Sequence, residues 1–228
     1  MPVRCLVFKE EKTSFAVGHF GLAYLLSKGL AKVLKVNINL PILLVLSVIP
    51  DVDLIYDFFM KTEIHRGPTH SIIVAILVFI PFFLLYRYKA VPYFAALASH
   101  SLIGDFPIAG HIQLLWPLTA HEFCIRCDLG LPYIGVHSQL NIALELTLFT
   151  LSLIIFLKTK DIYLFFRNSK TNLLLVIPIL TVLLPSLLSF PVYVPSTLLL
   201  PHLFYLTLFV ISVFVPIIKT CKKKFTNR

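Results

Sequence analysis

Long apolar stretches alternate with short polar segments along the whole chain. A helix needs about 20 apolar residues to cross a bilayer, and six stretches come close to that length or exceed it: residues 39–59, 70–88, 91–110, 136–157, 171–190 and 198–218. A seventh, residues 15–34, is more amphipathic and would either cross the membrane or lie in its interface. The pattern predicts an all-α polytopic transmembrane helix bundle of six to seven spans.

Composition supports lipid as the solvent of this protein. Of the 228 residues, 58% are hydrophobic and only 14% are charged, whereas soluble domains carry about 25% charged residues. The chain has no room for a sizeable soluble domain beside its helices. We therefore expect one membrane domain, in which residues 1–135 carry the polar motifs and residues 136–228 supply the C-terminal transmembrane helices.

The net charge of +9 indicates membrane anchoring and not nucleic-acid binding, because the basic residues lie in clusters between apolar stretches and after the last one. With seven crossings, four clusters fall on one side of the membrane, which the positive-inside rule makes cytoplasmic. These clusters are Lys28/Lys32/Lys35, Arg87/Lys89, Lys158/Lys160/Arg167/Lys170 and Lys219/Lys222/Lys223/Lys224/Arg228.

Histidines and aspartates lie near the opposite ends of the first four predicted spans. Ionisable groups at membrane depth are costly and usually functional. Residues far apart in sequence therefore converge on one depth, which this topology places on the extracytoplasmic side. Six of them are predicted metal ligands: His19, Asp51, His65, His70, His100 and Asp105.

The donor types suggest the chemistry of the site. Neutral imidazoles and carboxylates suit zinc, with manganese as a second choice, and several of each could hold one or more ions. Asp51 and Asp53 cannot share one helix face, so we expect one to ligate and the other to orient a histidine or act as a base. Arg66, together with the positive end of the helix that follows it, would favour a phosphate-like anion. Asp53 and Arg66 are therefore the predicted catalytic residues.

Several of these motifs also carry a resemblance. The chain resembles the YdjM/YbcI-like family of membrane-bound proteins, which implies metal-dependent hydrolysis. The resemblance covers residues 18 to 118, in five stretches: Gly18-His19, Ile49-Pro50-Asp51-Val52-Asp53, His65-Arg66-Gly67-Pro68-Thr69-His70-Ser71, Ser99-His100 with Asp105, and Leu114-Leu115-Trp116-Pro117. More distantly, the order of ligands is similar to that of zinc-dependent phospholipase C, an all-helical enzyme with a zinc cluster.

One spacing departs from these groups, which place the acid four residues after the histidine on one helix face. Here Asp105 is five residues after His100, which turns it away from the histidine unless the helix bulges, and Gly104 would permit either a bulge or a helix end. The distant group also has a glutamate four residues after its last ligand histidine, a position that Asn141 occupies here. Whether His111, His137 or Glu145 joins the site therefore stays open.

The long loop, residues 111–136, contains Cys124 and Cys127. A single Cys-x-x-Cys with His121 could bind zinc, but a loop cysteine pair, reduced or disulfide-bonded outside the cell, is the preferred interpretation. His121 and His202, taken singly, are expected to be packed or hydrogen-bonded groups.

The function predicted from these features is a membrane-bound metal-dependent hydrolase. It would act through a metal-activated water on a phosphoester or lipid-linked substrate, in contact with membrane lipid. The alternative is a non-enzymatic metal-binding membrane protein, either a scaffold or a transporter. A transporter should carry ligands along a path through the bilayer, and the last three predicted spans are almost free of charge.

Overall fold

The computed structural model describes residues 15–62, 64–109, 111–132, 134–190 and 193–226, with side chains to residue 220. The C-terminal lysines of the last basic cluster thus lie outside the described side chains. All regular structure in the described part is helical, apart from one isolated antiparallel bridge between Ile112 and Phe123. This confirms the all-α fold class.

The first half of the bundle holds the segments that carry the polar motifs. They are α1 (Ala16–Leu34), α2 (Leu40–Leu46), a 3-10 turn (Ile49–Val52), α3 (Asp53–Met60), a second 3-10 turn (Pro68–His70), α4 (Ile72–Tyr86), a third 3-10 turn (Arg87–Ala90), α5 (Val91–Ser99), a π-helix (His100–Asp105) and α6 (Phe106–Ala109).

The second half begins with the long loop and its short helix α7 (Ile125–Asp128). There follow α8 (Gln139–Lys158), two 3-10 helices (Asp161–Phe166 and Lys170–Leu175), α9 (Val176–Pro178), a second π-helix (Ile179–Leu183), α10 (Leu184–Leu187) and α11 (Ser196–Thr226).

Four helical segments in the described ranges are long and apolar enough to cross a membrane: Ile72–Ile108, Gln139–Lys158, Lys170–Leu187 and Ser196–Thr220. The first contains two predicted spans. At the turn between them Arg87 has a φ of 50°, and the chain folds back so that the rings of Phe79 and Phe94 pack 5.3 Å apart. Its two arms form a helical hairpin.

The stretch predicted as one span at residues 39–59 is divided into three short helices. Asn39 caps α2, with its side chain accepting a hydrogen bond from the Ile42 amide. Pro50 then occupies the start of the 3-10 turn, and because proline has no N–H it cannot continue the α-helical ladder. Asp51 consequently lies in a tight turn, while Asp53 begins α3.

Helix α1 lies inside the bundle and not at its surface. Phe20 and Tyr24 are fully buried. The ring of Tyr24 stacks on Phe156 of α8 at 3.9 Å, and the ring of Phe20 packs against Tyr205 and Phe209 of α11. This packing holds the start of α1, and with it His19, in the interior.

Candidate metal centre

Five of the predicted ligands lie in four short segments that meet at one end of the bundle. His19 is in the first turn of α1, Asp51 in the first 3-10 turn, His70 in the second, and His100 and Asp105 at the two ends of the π-helix. All five are buried; His70 and His100 have no exposed surface. Together with His65 they form three overlapping groups of possible metal ligands, whose donor atoms lie within 4.8 Å of one another in each group.

Four donor atoms form the centre of this arrangement, which we call the central cluster: Nε2 of His70, Nε2 of His100, Oδ1 of Asp51 and Oδ2 of Asp105. The two nitrogens are 3.1 Å apart. Asp51 Oδ1 lies 3.5 and 3.2 Å from them, and Asp105 Oδ2 lies 3.3 and 3.4 Å from them. Two donors that each lie about 2.0–2.1 Å from a tetrahedral zinc are about 3.3 Å apart, so these separations fit such an ion.

The π-helix is what places Asp105 in the cluster. In an α-helix a residue five positions after His100 would point to a different face, but the wider turn of a π-helix aligns the two. Of the two possibilities indicated by their spacing, a bulge or a helix end, the structure has the bulge. Gly104 leaves room for His19, because a Cβ there would lie 2.3 Å from Cε1 of that histidine.

Hydrogen bonds outside the cluster determine which nitrogen of each central imidazole carries the proton. His100 Nδ1 donates to the carbonyl oxygen of Ser47 at 2.8 Å. The Thr69 hydroxyl donates to Asp53, so its oxygen accepts from Nδ1 of His70 at 3.1 Å. In the neutral state both histidines therefore present Nε2 lone pairs to the cluster, where the other donors are carboxylate oxygens.

Asp53 has a different position from Asp51. One carboxylate oxygen accepts a hydrogen bond from His65 Nδ1 at 2.8 Å, and the other accepts from Thr69 and lies 3.5 Å from Nδ1 of His70. This is the arrangement by which a carboxylate fixes the tautomer and orientation of ligating imidazoles. Asp53 therefore orients histidines, as expected for one of the two aspartates.

The charges of the site do not balance with neutral imidazoles. Three buried carboxylates, Asp51, Asp53 and Asp105, lie beside one buried guanidinium, Arg66, so the negative charges outnumber the positive ones by two. Burying charge that is not compensated is strongly unfavourable. A dication, or protons on two imidazoles, would neutralise the cluster.

Arg66 lies against the cluster and is 5% exposed. Its guanidinium is 4.0 Å from Asp105 Oδ1. The backbone at Arg66 is left-handed, with a φ of 66°, and its carbonyl oxygen accepts a hydrogen bond from Gln113 of the long loop at 3.1 Å. Arg66 is thus held between the carboxylates and the loop.

The N-terminus of α4 is not available to an anion, contrary to our expectation. Ser71 caps the helix and accepts hydrogen bonds from the amides of Ile73 and Val74. The Ile72 amide donates to the carbonyl oxygen of Leu114 at 3.0 Å. The first amides of α4 are therefore occupied.

Three residues left open by the sequence are not in the ligand groups of the cluster. His137 packs against the rings of Phe15 and Tyr193. His111 is in the long loop, 3.9 Å from Cys127 Sγ. Glu145 of α8 accepts a hydrogen bond from the Gly18 amide, next to His19, and a Cβ at Gly18 would lie 2.6 Å from its carboxylate.

Other residues that support the site were not predicted. Asp57 accepts hydrogen bonds from the amides of Ile64 and His65, at 3.0 and 2.9 Å, and so fixes the loop that carries His65. Ser47 contributes only its carbonyl, which no side-chain pattern reveals. The sequence signal that could have indicated Asp57 is its spacing of eight residues from His65 across a turn.

His121 and His202 are packed or hydrogen-bonded groups, as expected. His202 is buried and its Nε2 donates to the carbonyl oxygen of Leu183 at 2.8 Å. His121 packs edge-on against Phe123.

Comparison with known proteins places this architecture in a family. No curated protein and no solved structure matches the chain, so the distant similarity to phospholipase C stays a prediction. A family model described as YdjM inner membrane protein matches residues 15–192, a range that contains all six predicted ligands. The chain is a membrane protein, embedded in lipid through its apolar helices, and it belongs to the YdjM inner membrane protein family.

Proposed function

We propose that this protein is a membrane-bound metal-dependent hydrolase acting on a phosphoester that belongs to a lipid or lipid-linked molecule. The observation that carries the proposal is the central cluster. The Nε2 atoms of His70 and His100 are 3.1 Å apart, and each lies 3.2–3.5 Å from one oxygen of Asp51 and one oxygen of Asp105. Neutral histidines in this arrangement repel the carboxylates unless a cation lies between them.

The residues present fit a divalent transition metal. His70, His100, Asp51 and Asp105 would hold it, with His19 and His65 at the edge of the set for a further ligand or a second ion. Imidazole and carboxylate donors favour zinc and also accept manganese. A dication held there would supply the Lewis acidity that ester hydrolysis at neutral pH requires.

Asp53 acts through other residues in this proposal. Both of its oxygens accept hydrogen bonds, from His65 and from Thr69, so it is a positioning residue and not the general base. Its negative charge also increases the basicity of the imidazoles that it orients.

Arg66 is the proposed group for the substrate phosphate. Its guanidinium has the planar set of donors that suits phosphate oxygens, and its position 4.0 Å from Asp105 puts that charge at the edge of the cluster. Negative charge that develops on the phosphoryl group would be stabilised there. Because Arg66 is nearly buried, the substrate must reach it from the side of the cluster or by displacing part of the long loop.

An apolar surface next to the site supports a substrate presented by the membrane. Helix α3 follows directly on Asp51 and Asp53, and its far end exposes Phe58, Phe59 and Met60 by 56, 73 and 60%. Exposed apolar side chains at a helix end are typical of insertion at the membrane interface. A phosphate at the level of lipid head groups would therefore lie near the cluster.

Elemental analysis of purified protein tests the metal. The wild type should contain at least one transition metal per chain, and His70→Ala or Asp51→Asn should lose it. Asp53→Asn should bind with roughly 10–100-fold lower affinity, because the orientation of the histidines is lost while the central donors remain. The matched control is His202→Gln, which alters another buried histidine and should retain the wild-type content.

Turnover is tested with the metal-loaded wild type on phosphomonoesters, phosphodiesters and phospholipid vesicles. Activity should disappear with chelator and return with zinc or manganese, and Arg66→Ala should lose turnover while keeping metal. Metal without hydrolysis of any ester would favour the non-enzymatic scaffold, and a wild type free of metal would refute both. Full activity of Arg66→Ala would refute the phosphate-binding role.

A further inference from the structure

A second set of metal-ligating side chains lies in the long loop, apart from the central cluster. It consists of His111, Cys124 and Cys127, whose donor atoms lie within 4.8 Å of one another. The bridge between Ile112 and Phe123 brings them together, with Ile112 N donating to Phe123 O at 3.0 Å and Phe123 N donating to Ile112 O at 2.9 Å. His111 therefore stands beside the Cys-x-x-Cys turn, whereas His121 packs on Phe123.

Backbone hydrogen bonds shape the cysteine turn in addition to its disulfide. The Cys127 amide donates to Sγ of Cys124 at 3.2 Å. The Asp128 amide donates to the Cys124 carbonyl, and the Gly130 amide to the Cys127 carbonyl, at 3.0 and 3.1 Å. An N–H donor directed at sulfur favours the thiolate, which is the form that binds metals.

We propose that the reduced Cys124–Cys127 pair and His111 form a second metal site, which takes zinc or a similar thiophilic dication. Two thiolates and one imidazole are a zinc-binding donor set that leaves one position for water. His111 Nε2 lies 3.9 Å from Cys127 Sγ. On the other side of the ring, Nδ1 lies 3.8 Å from Glu122 Oε2, so a carboxylate is near the imidazole at ion-pair distance.

The oxidation state of the pair decides whether the site exists. Cys124 and Cys127 are joined by a disulfide, whose sulfurs are not thiolate ligands. A dithiol reductant transfers two electrons and two protons to this bond and becomes a disulfide itself. The two thiols lose their protons when the metal binds, so the loop is closed either by the disulfide or by the ion.

This site shares no donor atom with the proposed hydrolase site, although the long loop contacts both sites. Gln113 N donates to Arg66 O, and the Ser71 hydroxyl lies 3.1 Å from the carbonyl oxygen of Leu114. The proposal does not depend on metal in the central cluster, which contains no sulfur.

Cobalt substitution tests the second site, because thiolate-to-cobalt charge transfer absorbs in the near ultraviolet and nitrogen or oxygen donors give no such band. The protein is the full chain in detergent with Cys5→Ser and Cys221→Ser, so that the loop pair supplies the only thiols. After reduction with a phosphine, cobalt should produce the band at one equivalent for this site, and zinc should displace it. The oxidised protein should give no band.

Variants assign the donors. Cys127→Ser should lose the band, and His111→Ala should weaken cobalt binding by roughly 10-fold or more, whereas His121→Ala, the matched loop histidine, should bind as the parent does. A reduced parent without the band overturns the proposal, as does unchanged affinity in His111→Ala. The comparison of reduced and oxidised parent remains decisive if a variant fails to fold.

Discussion

At the residue scale, the space around His19 constrains the candidate metal centre closely. Its imidazole stacks on His100 with 4.0 Å between ring centroids and lies against Gly104, where no side chain fits. On the other side of the same turn, Gly18 leaves room for the buried carboxylate of Glu145. Gly104 therefore lets His19 approach the π-helix, and Gly18 lets Glu145 approach the backbone of α1, at the cost of the backbone freedom that glycine brings to a helix.

Gly104→Ala tests this constraint. The added Cβ would lie 2.3 Å from Cε1 of His19, so either the histidine or the π-helix must move, and overpacking of this kind typically costs about 1–3 kcal/mol. We expect a lower unfolding temperature and loss of metal in the same variant. Unfolding in detergent and elemental analysis measure the two effects.

The matched control is Gly29→Ala on the exposed side of α1, where a Cβ would meet nothing within 4 Å. That substitution should leave metal content unchanged and stabilise the helix by up to about 1 kcal/mol. If Gly104→Ala keeps its metal and its stability, the close approach of Gly104 to His19 is not required for the site.

At the element scale, Ser71 joins the start of α4 to the long loop. Its oxygen accepts hydrogen bonds from the amides of Ile73 and Val74, and its hydroxyl lies within hydrogen-bond distance of the carbonyls of Leu114 and Trp116. One hydroxyl thus caps a membrane helix and secures the loop that contacts Arg66.

Ser71→Ala should therefore have two effects, on stability and on the loop, whereas removal of a residue that only caps a helix should affect stability alone. Loss of the cap costs about 1 kcal/mol, and the loop should become more open to trypsin at Arg126. Ser138→Ala, which removes the cap of α8, should reduce stability similarly without exposing Arg126. Equal cleavage rates in Ser71→Ala and the wild type would contradict the role in the loop.

The elements that define the site differ in how far the sequence could predict them. Convergence of His19 and His70 was predictable because each lies near the end of an apolar stretch, whereas His100 lies midway along residues 91–110. The five-residue spacing and Gly104 indicated a bulge or a helix end without deciding between them. The division of residues 39–59 was not predicted, because the stretch is predominantly apolar, although Pro50 was a sequence signal for the break.

The histidine that lies next to the cysteine pair could not be predicted from the sequence either. His121 is closer along the chain, but the pairing of Ile112 with Phe123 brings His111 to Cys127. The occupied start of α4 likewise depends on a contact with Leu114, more than forty positions further along the chain. Contacts between backbone groups that are distant in sequence do not depend on residue type, so no sequence pattern indicates them.

At the scale of the whole molecule, the basic segments and the candidate metal centre lie at opposite ends. Lys28 is nine positions, or roughly 14 Å, further along α1 than His19, and it pairs with Asp161 after α8. Asn39, which follows the same basic segment, bonds to Tyr93 and Thr171. Tyr93 follows the second basic cluster and Thr171 follows the third, so three basic clusters lie together. That this end faces the cytoplasm, and the candidate site the extracytoplasmic side, stays a prediction from the positive-inside rule.

Cysteine labelling tests that orientation. In a chain freed of its own cysteines, a cysteine in place of Ala120 in the long loop should react with an impermeant thiol reagent on intact cells. One in place of Lys160 should react only after the membrane is permeabilised. Ala120 and Lys160 are both exposed on the protein surface, so a difference in labelling would come from the membrane and not from burial. The reverse pattern would place the centre on the cytoplasmic side.

The burial of the central cluster also has a consequence for how an ion arrives and leaves. Its donors come from segments between positions 51 and 105, and His70, His100 and Asp105 are at most 1% exposed. The set of donors is therefore complete only after the chain as far as Asp105, which includes the first four predicted spans, has been inserted, and an ion would be loaded after that. Exchange then depends on local opening of the loop near Arg66, so that a chelator should remove the ion in hours under conditions where an open surface site would lose it in seconds.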